Sequence, residues 1–143
     1  MNPVGLSYIS LLPQKLFYTL LPVFFPTRRN VETFMNRMVF TPEEKPEGEL
    51  WRQLADYIEI SVKDFEFGGD YPTKLADAEI VRLKAETHLI VGENDALIPQ
   101  HKTVKRARKL LPNLKSVDVL PNIGHGIELS SSAIEKLKAV LET

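Results

Sequence analysis

No cysteine occurs in the sequence, which removes disulfide frameworks, thiolate nucleophiles and cysteine-based zinc sites together, while remaining compatible with a reducing, cytoplasmic location. Charge of one sign is also missing. With 18 Lys and Arg against 19 Asp and Glu the net charge is −1, so the overall balance asks for neither nucleic acid nor an anionic membrane as partner. A long unbroken apolar run is absent too. The opening "MNPVGLSYISLLPQKLFYTLLPVFFP" is rich in Leu and Phe, but Pro13, Lys15 and Pro22 interrupt it, leaving less than the roughly 20 residues a membrane span needs. It also lacks the basic start of an export signal. The expectation is a soluble helical segment with no membrane span, a membrane-surface or export role being the alternative. Repeats, low-complexity tracts and a Gly-rich phosphate loop do not occur. The 3 histidines show no i, i+4 spacing, and "ENDALIPQH" lacks the alternating oxygen ligands of a calcium loop, so no metal and no cofactor are expected.

What remains is enough for one domain with a single core, the length being 143 residues. Residues 12 to 26 read as one or two short apolar helices broken by Pro22, and Val31, Phe34, Met35 and Met38 continue at helical spacing. "TPEEKPEGEL" breaks the chain. After it Leu50, Leu54, Tyr57, Ile58 and Val62 recur every three or four residues up to Gly68 and Gly69. From there the texture changes to strand, helix, strand, helix: "THLIVG", then "PQHKTVKRARKLLP" with Pro99 at its start, then "SVDVL", then "SSSAIEKLKAVLE" opening on cap-type serines. Strands are expected at residues 87–91 and 116–120, with a third contributed at most by the first few residues. Such alternation argues for an α/β arrangement of parallel strands joined by helical crossovers, with functional residues in the loops after the strands' carboxyl ends. In the helix after the first strand, Lys102, Lys105, Arg106 and Lys109 lie opposite Val104, Ala107, Leu110 and Leu111. At this net charge that is a solvated outer face rather than a nucleic-acid patch.

Two loop residues stand out. Asp95, in "VGENDALIP", follows the strand-ending Gly92 and has two readings: a turn aspartate satisfying backbone amides, or a carboxylate with chemistry to do. His125, in "PNIGHG", lies between Gly124 and Gly126, which permit a sharp turn and leave an imidazole that titrates near neutrality accessible. It reads either as an ordinary loop histidine or as a general base. Adjacent parallel strands set their following loops side by side, so the two residues could meet despite lying thirty residues apart. A carboxylate that orients an imidazole is two thirds of a Ser-His-Asp triad. His88, inside an apolar strand, reads as a packed or hydrogen-bonded histidine, and His101 merely begins a basic helix.

From about residue 74 to the end, the spans "LIVGENDALIP" and "VLPNIGHG" resemble the last two strands of an α/β-hydrolase and the loops that hold its acid and histidine, where the chain order is nucleophile, acid, histidine. The resemblance gives those roles to Asp95 and His125. It makes residues 1–70 a helical, cap-like region and residues 71–143 the C-terminal α/β portion of the core, with "NPVG" resembling the end of the strand before the cap. It implies a serine-type esterase or related acyl-bond hydrolase acting on a small acyl or ester substrate. The family's G-x-S-x-G nucleophile turn is absent. The nearest approach, "GLSYI", carries Ser7 but has Ile9 in place of the second glycine and no preceding strand. The chain alone is therefore expected to be inactive, its nucleophile lying in sequence not present here. The alternative is a non-catalytic interaction or lipid-binding module derived from a truncated hydrolase. Two strands leave an unpaired edge beside apolar helices, so self-association as a dimer is also expected.

Overall fold

The structure, a computed structural model, describes residues 4–7, 12–64 and 74–142. Helix α1, Pro13–Phe24, begins on a proline, where the missing N–H costs nothing. Contrary to the expectation from sequence, Pro22 does not break it. The ring sits two residues from the helix end, so only one late hydrogen bond is lost, and it is buried. Helix α2, Arg28–Phe34, is capped by the Thr27 hydroxyl, which accepts the Asn30 N–H at 3.3 Å. It continues as a π-helical turn, Met35–Val39, closed by the Phe40 N–H donating to the Met35 carbonyl at 2.9 Å. Helix α3 spans Gly48–Lys63. Val31 and Met35 pack on Ala55 of α3, whereas Met38, one turn on, packs on Leu97 and Ile98. The apolar stripe of α3 is narrower than its spacing suggests: Leu50 and Tyr57 are 46% and 70% exposed, and Trp51, Leu54, Ile58 and Val62 make the contact instead. Gly68 and Gly69, the expected end of this half, lie outside the described residues.

After the short helix α4, Asp77–Ile80, strands β1, Thr87–Gly92, and β2, Leu114–Leu120, pair in parallel, joined by helix α5, Gln100–Leu110. Side chains alternate across the sheet as the strand period requires. Leu89 and Val91 join Leu6, Ile80, Val104, Ala107 and Leu110 in one core, while Ile90 packs on the other, with Leu120, Ile123, Ile127 and Ala133. Helix α6, Ser131–Leu141, covers that second side. Its cap position is occupied by Ser130, whose hydroxyl bonds Ser132 rather than a backbone amide. No third strand joins the pair among the described residues: Val4–Leu6 form a 3₁₀ turn, and residues 1–3 are outside them. Among the described residues no helix is long and apolar enough to cross a membrane.

The basic face of α5 is only partly a solvated one. Lys102, Lys105 and Lys109 are exposed, but the Arg106 side chain is 13% exposed. It donates to the carbonyls of Gly5 at 3.2 Å, Leu6 at 3.1 Å and Leu75 at 2.5 Å, and to the Asp77 carboxylate at 2.6 Å. One guanidinium thus ties three stretches of chain together. Arg106→Ala is expected to destabilise the protein by about 3 kcal/mol, because several carbonyls lose a charged donor at once; a shift below a quarter of that in denaturant unfolding would deny the clamp. Arg106 also holds the Asp77 carboxyl below its ordinary range, chiefly by their hydrogen bond. A depressed acid stabilises the fold above its unfolded pKa and loses that contribution as pH falls through the folded value. Asp77→Asn should accordingly flatten the acid limb of the stability curve below the usual carboxylate range, leaving the neutral limb unchanged in shape.

Candidate functional site

The loops that follow β1 and β2 are laced together by backbone bonds: the Glu93 N–H donates to the Leu120 carbonyl and the Asn94 N–H to that of Ile123, both at 2.9 Å. Asp95 comes next. Its Oδ1 accepts the N–H groups of Leu97 and Ile98, each at 2.8 Å, and its side chain is only 4% exposed. His125 Nδ1 lies 3.0 Å from Oδ2 and 3.2 Å from Oδ1. The carboxylate therefore closes its own turn, the first of its two readings, and also meets the imidazole 30 residues away. An ionised carboxylate only accepts hydrogen bonds, so Nδ1 must carry the proton and Nε2 becomes the basic ring nitrogen. The buried charge is compensated by two amides and the imidazole. With the proton on Nδ1, the lone pair of the neutral ring lies on Nε2.

The glycines beside His125 serve a different purpose from the one suggested by sequence. Neither has positive φ; among the described residues that backbone is adopted by Gly48 and by Asn122, at φ 59°. Close approach is what requires them. A Cβ on Gly124 would stand 2.5 Å from the Val39 carbonyl oxygen, and one on Gly126 would collide with the Phe40 ring. Val39, Phe40 and Thr41 were not singled out from the sequence, because nothing in the passage from the end of a helical turn into a breaker announces what it touches. The Leu97 and Ile98 amides had a faint signal, an Asp two and three residues ahead of them, which is the spacing of an aspartate-closed turn.

The remaining candidates have other surroundings. Ser7 is 7% exposed and accepts a hydrogen bond from the Thr103 hydroxyl at 3.0 Å, so it is fixed in the packing of α5. His88 Nδ1 bonds Ser116 Oγ at 2.9 Å, across the β1–β2 register in which those residues are partners. His101 is exposed at the start of α5. No group of three or more His, Asp and Glu side chains close enough to hold a metal ion occurs among the described residues.

No protein-family model and no curated protein sequence matches the chain. Solved structures do. The carboxylesterase CesB of Bacillus subtilis superposes with a TM-score of 0.71 at 19% identity, over 95% of this chain and 46% of that one. Naproxen esterase, carboxylesterase NP, of the same organism gives a TM-score of 0.67 at 16% identity, over 94% of this chain and 46% of that one. The chain spans slightly less than half the length of the structures it matches. The parallel pair with its crossover helix and preceding helices has the α/β-hydrolase fold, matching the C-terminal half of those chains.

Proposed function

We propose that this chain supplies the acid and the base of a serine-type hydrolase that cleaves an ester or related acyl bond, with the nucleophile provided by polypeptide outside these residues. The observation that supports it best is the buried Asp95 carboxylate, fixed by two amides and aligned on His125 Nδ1. In this reading the serine Oγ attacks the acyl carbon while His125 Nε2 takes the hydroxyl proton. Asp95 holds the tautomer and stabilises the imidazolium, and Nε2 returns the proton to the departing alcohol. A water, activated by the same nitrogen, then releases the acyl group. Residues 1–70 act as the cap and 71–143 as the C-terminal core. Hydrolysis of a p-nitrophenyl ester series tests this. The chain by itself should show no turnover above background, since its sequence has no G-x-S-x-G nucleophile turn. A form extended by a coding sequence upstream of Met1 that carries G-x-S-x-G should turn over. Turnover by the chain alone that survives Ser7→Ala and is abolished by His125→Ala would refute the proposal.

The exposed apolar side chains favour a second reading, an interaction or lipid-binding module. Leu12, Phe17, Phe24 and Phe25 are 60%, 59%, 62% and 63% exposed on and beside α1, and Leu137 and Leu141 of α6 are 51% and 76% exposed. Surface of this kind invites cover. In either reading we expect self-association, a symmetric dimer being the commonest closed outcome. Size exclusion with light scattering at micromolar concentration should show it; a cooperative monomer with little dye-binding apolar surface would contradict it.

A further inference from the structure

We infer that residues 39–41 form a strap that sets the position of the His125 ring on Asp95, which makes Phe40 and Thr41 positioning residues; the inference rests on the reading of His125 as the general base. The strap grips the histidine's loop on both sides of the ring. Before it, the Thr41 hydroxyl donates to the Asn122 carbonyl at 2.6 Å; after it, the Gly126 N–H donates to the Val39 carbonyl at 2.9 Å. Between them Gly124 lies so close to the Val39 carbonyl that no Cβ fits. Phe40 presses its ring on Gly126 and is backed by Trp51, the ring centroids 6.0 Å apart. The Lys45 ammonium stands over the Trp51 ring, 4.2 Å from its centroid.

The same stretch reaches the acid. Met38, the residue before the strap, is 3% exposed and packs with Leu97 and Ile98, whose N–H groups hold Asp95 Oδ1. Four consecutive residues therefore touch both loops: Met38 packs on the turn that fixes the carboxylate, and Val39 to Thr41 contact the loop that carries the imidazole. Neither loop is part of a strand or long helix. From the other side, the Asn94 N–H on the Ile123 carbonyl also ties the histidine's loop. A helical region that merely roofed a pocket would have no reason to hydrogen-bond this loop at two points flanking the histidine. Asn122, at φ 59°, is held in its left-handed conformation with its carbonyl turned to the Thr41 hydroxyl, so the loop's least favourable backbone is also where the strap grips it.

The test is ring nitrogen and proton NMR on the full 143-residue chain, with His88, bonded to Ser116 within the sheet, as internal reference. Thr41→Val keeps the shape and removes the donor; Thr41→Ser restores it. Thr41→Val should speed exchange of the His125 Nδ1 proton with water by roughly three- to tenfold, the range that loss of one hydrogen bond implies, while His88 stays unchanged and Thr41→Ser recovers the slow rate. Gly126→Ala should displace the His125 signals, and combining it with Phe40→Leu should bring them back towards their original positions. Unaltered His125 signals in both Thr41→Val and Gly126→Ala would overturn the strap alone, leaving the proposed function standing. So would His88 moving in step with His125, since that is a general loosening of the fold. Absence of an Nδ1 proton on His125 in the unsubstituted chain would overturn the base assignment and the strap with it.

Discussion

In a polypeptide that includes the nucleophile, His125→Ala is expected to lower kcat for an ester by a factor on the order of 10⁵ to 10⁶, and Asp95→Asn by about 10⁴. The two effects differ for a physical reason. Alanine removes the proton acceptor itself. Asparagine keeps the shape at position 95 but can no longer impose the tautomer, because an amide offers the ring a donor as readily as an acceptor. It also leaves the N–H groups of Leu97 and Ile98 with a weaker acceptor, so some loss of stability should accompany the loss of rate. KM should change little in both variants, since neither side chain is needed to bind the ground-state ester. Steady-state kinetics on a p-nitrophenyl ester reads this directly. A His125→Ala enzyme within tenfold of its parent would remove His125 from the chemistry.

Gly92→Ala is expected to be the most damaging small substitution in the α/β part, costing about 3 kcal/mol, the upper end for added bulk in a close-packed site. Gly92 is buried at the end of β1. A methyl group there would stand 2.5 Å from the Ile123 carbonyl oxygen and press equally on that of Gly124. Both are backbone atoms that cannot rotate away. The two loops must separate, and with them Asp95 and His125. Denaturant unfolding should show a lowered midpoint with an unchanged slope. A midpoint within experimental scatter of the parent would mean that the loops are not packed as described.

Much of the α/β part was legible in the sequence because its signals are local. The β-rich run "THLIVG", the amphipathic "HKTVKRARKLL" and the alternating "SVDVL" each carry their own period, and the observed strands, Thr87–Gly92 and Leu114–Leu120, begin or end within two residues of those expected. That Asp95 and His125 meet was suggested jointly by the rule that parallel neighbours place their following loops together and by the resemblance of the two loops to those of an α/β-hydrolase. What escaped the sequence was long-range. Arg106 looks like its neighbours Lys102, Lys105 and Lys109 on a helical projection, and only the arrival of Gly5, Leu6 and Leu75 turns it inward. Pro22 carries the usual signal of a break but falls where the helix was ending anyway. Gly124 and Gly126 look like turn glycines, yet they answer to Val39 and Phe40, more than eighty residues earlier. Contacts across such a separation leave no periodic trace.

The central claim is that Asp95 fixes the His125 ring as a base, and the tautomer of that ring tests it most directly. Nitrogen chemical shifts of neutral His125, measured on the chain as it stands, should place the proton on Nδ1 and leave Nε2 unprotonated, and Asp95→Asn should erase that preference. A ring carrying its proton on Nε2 in the unsubstituted chain, or a Nδ1 preference that persists in Asp95→Asn, would contradict the account.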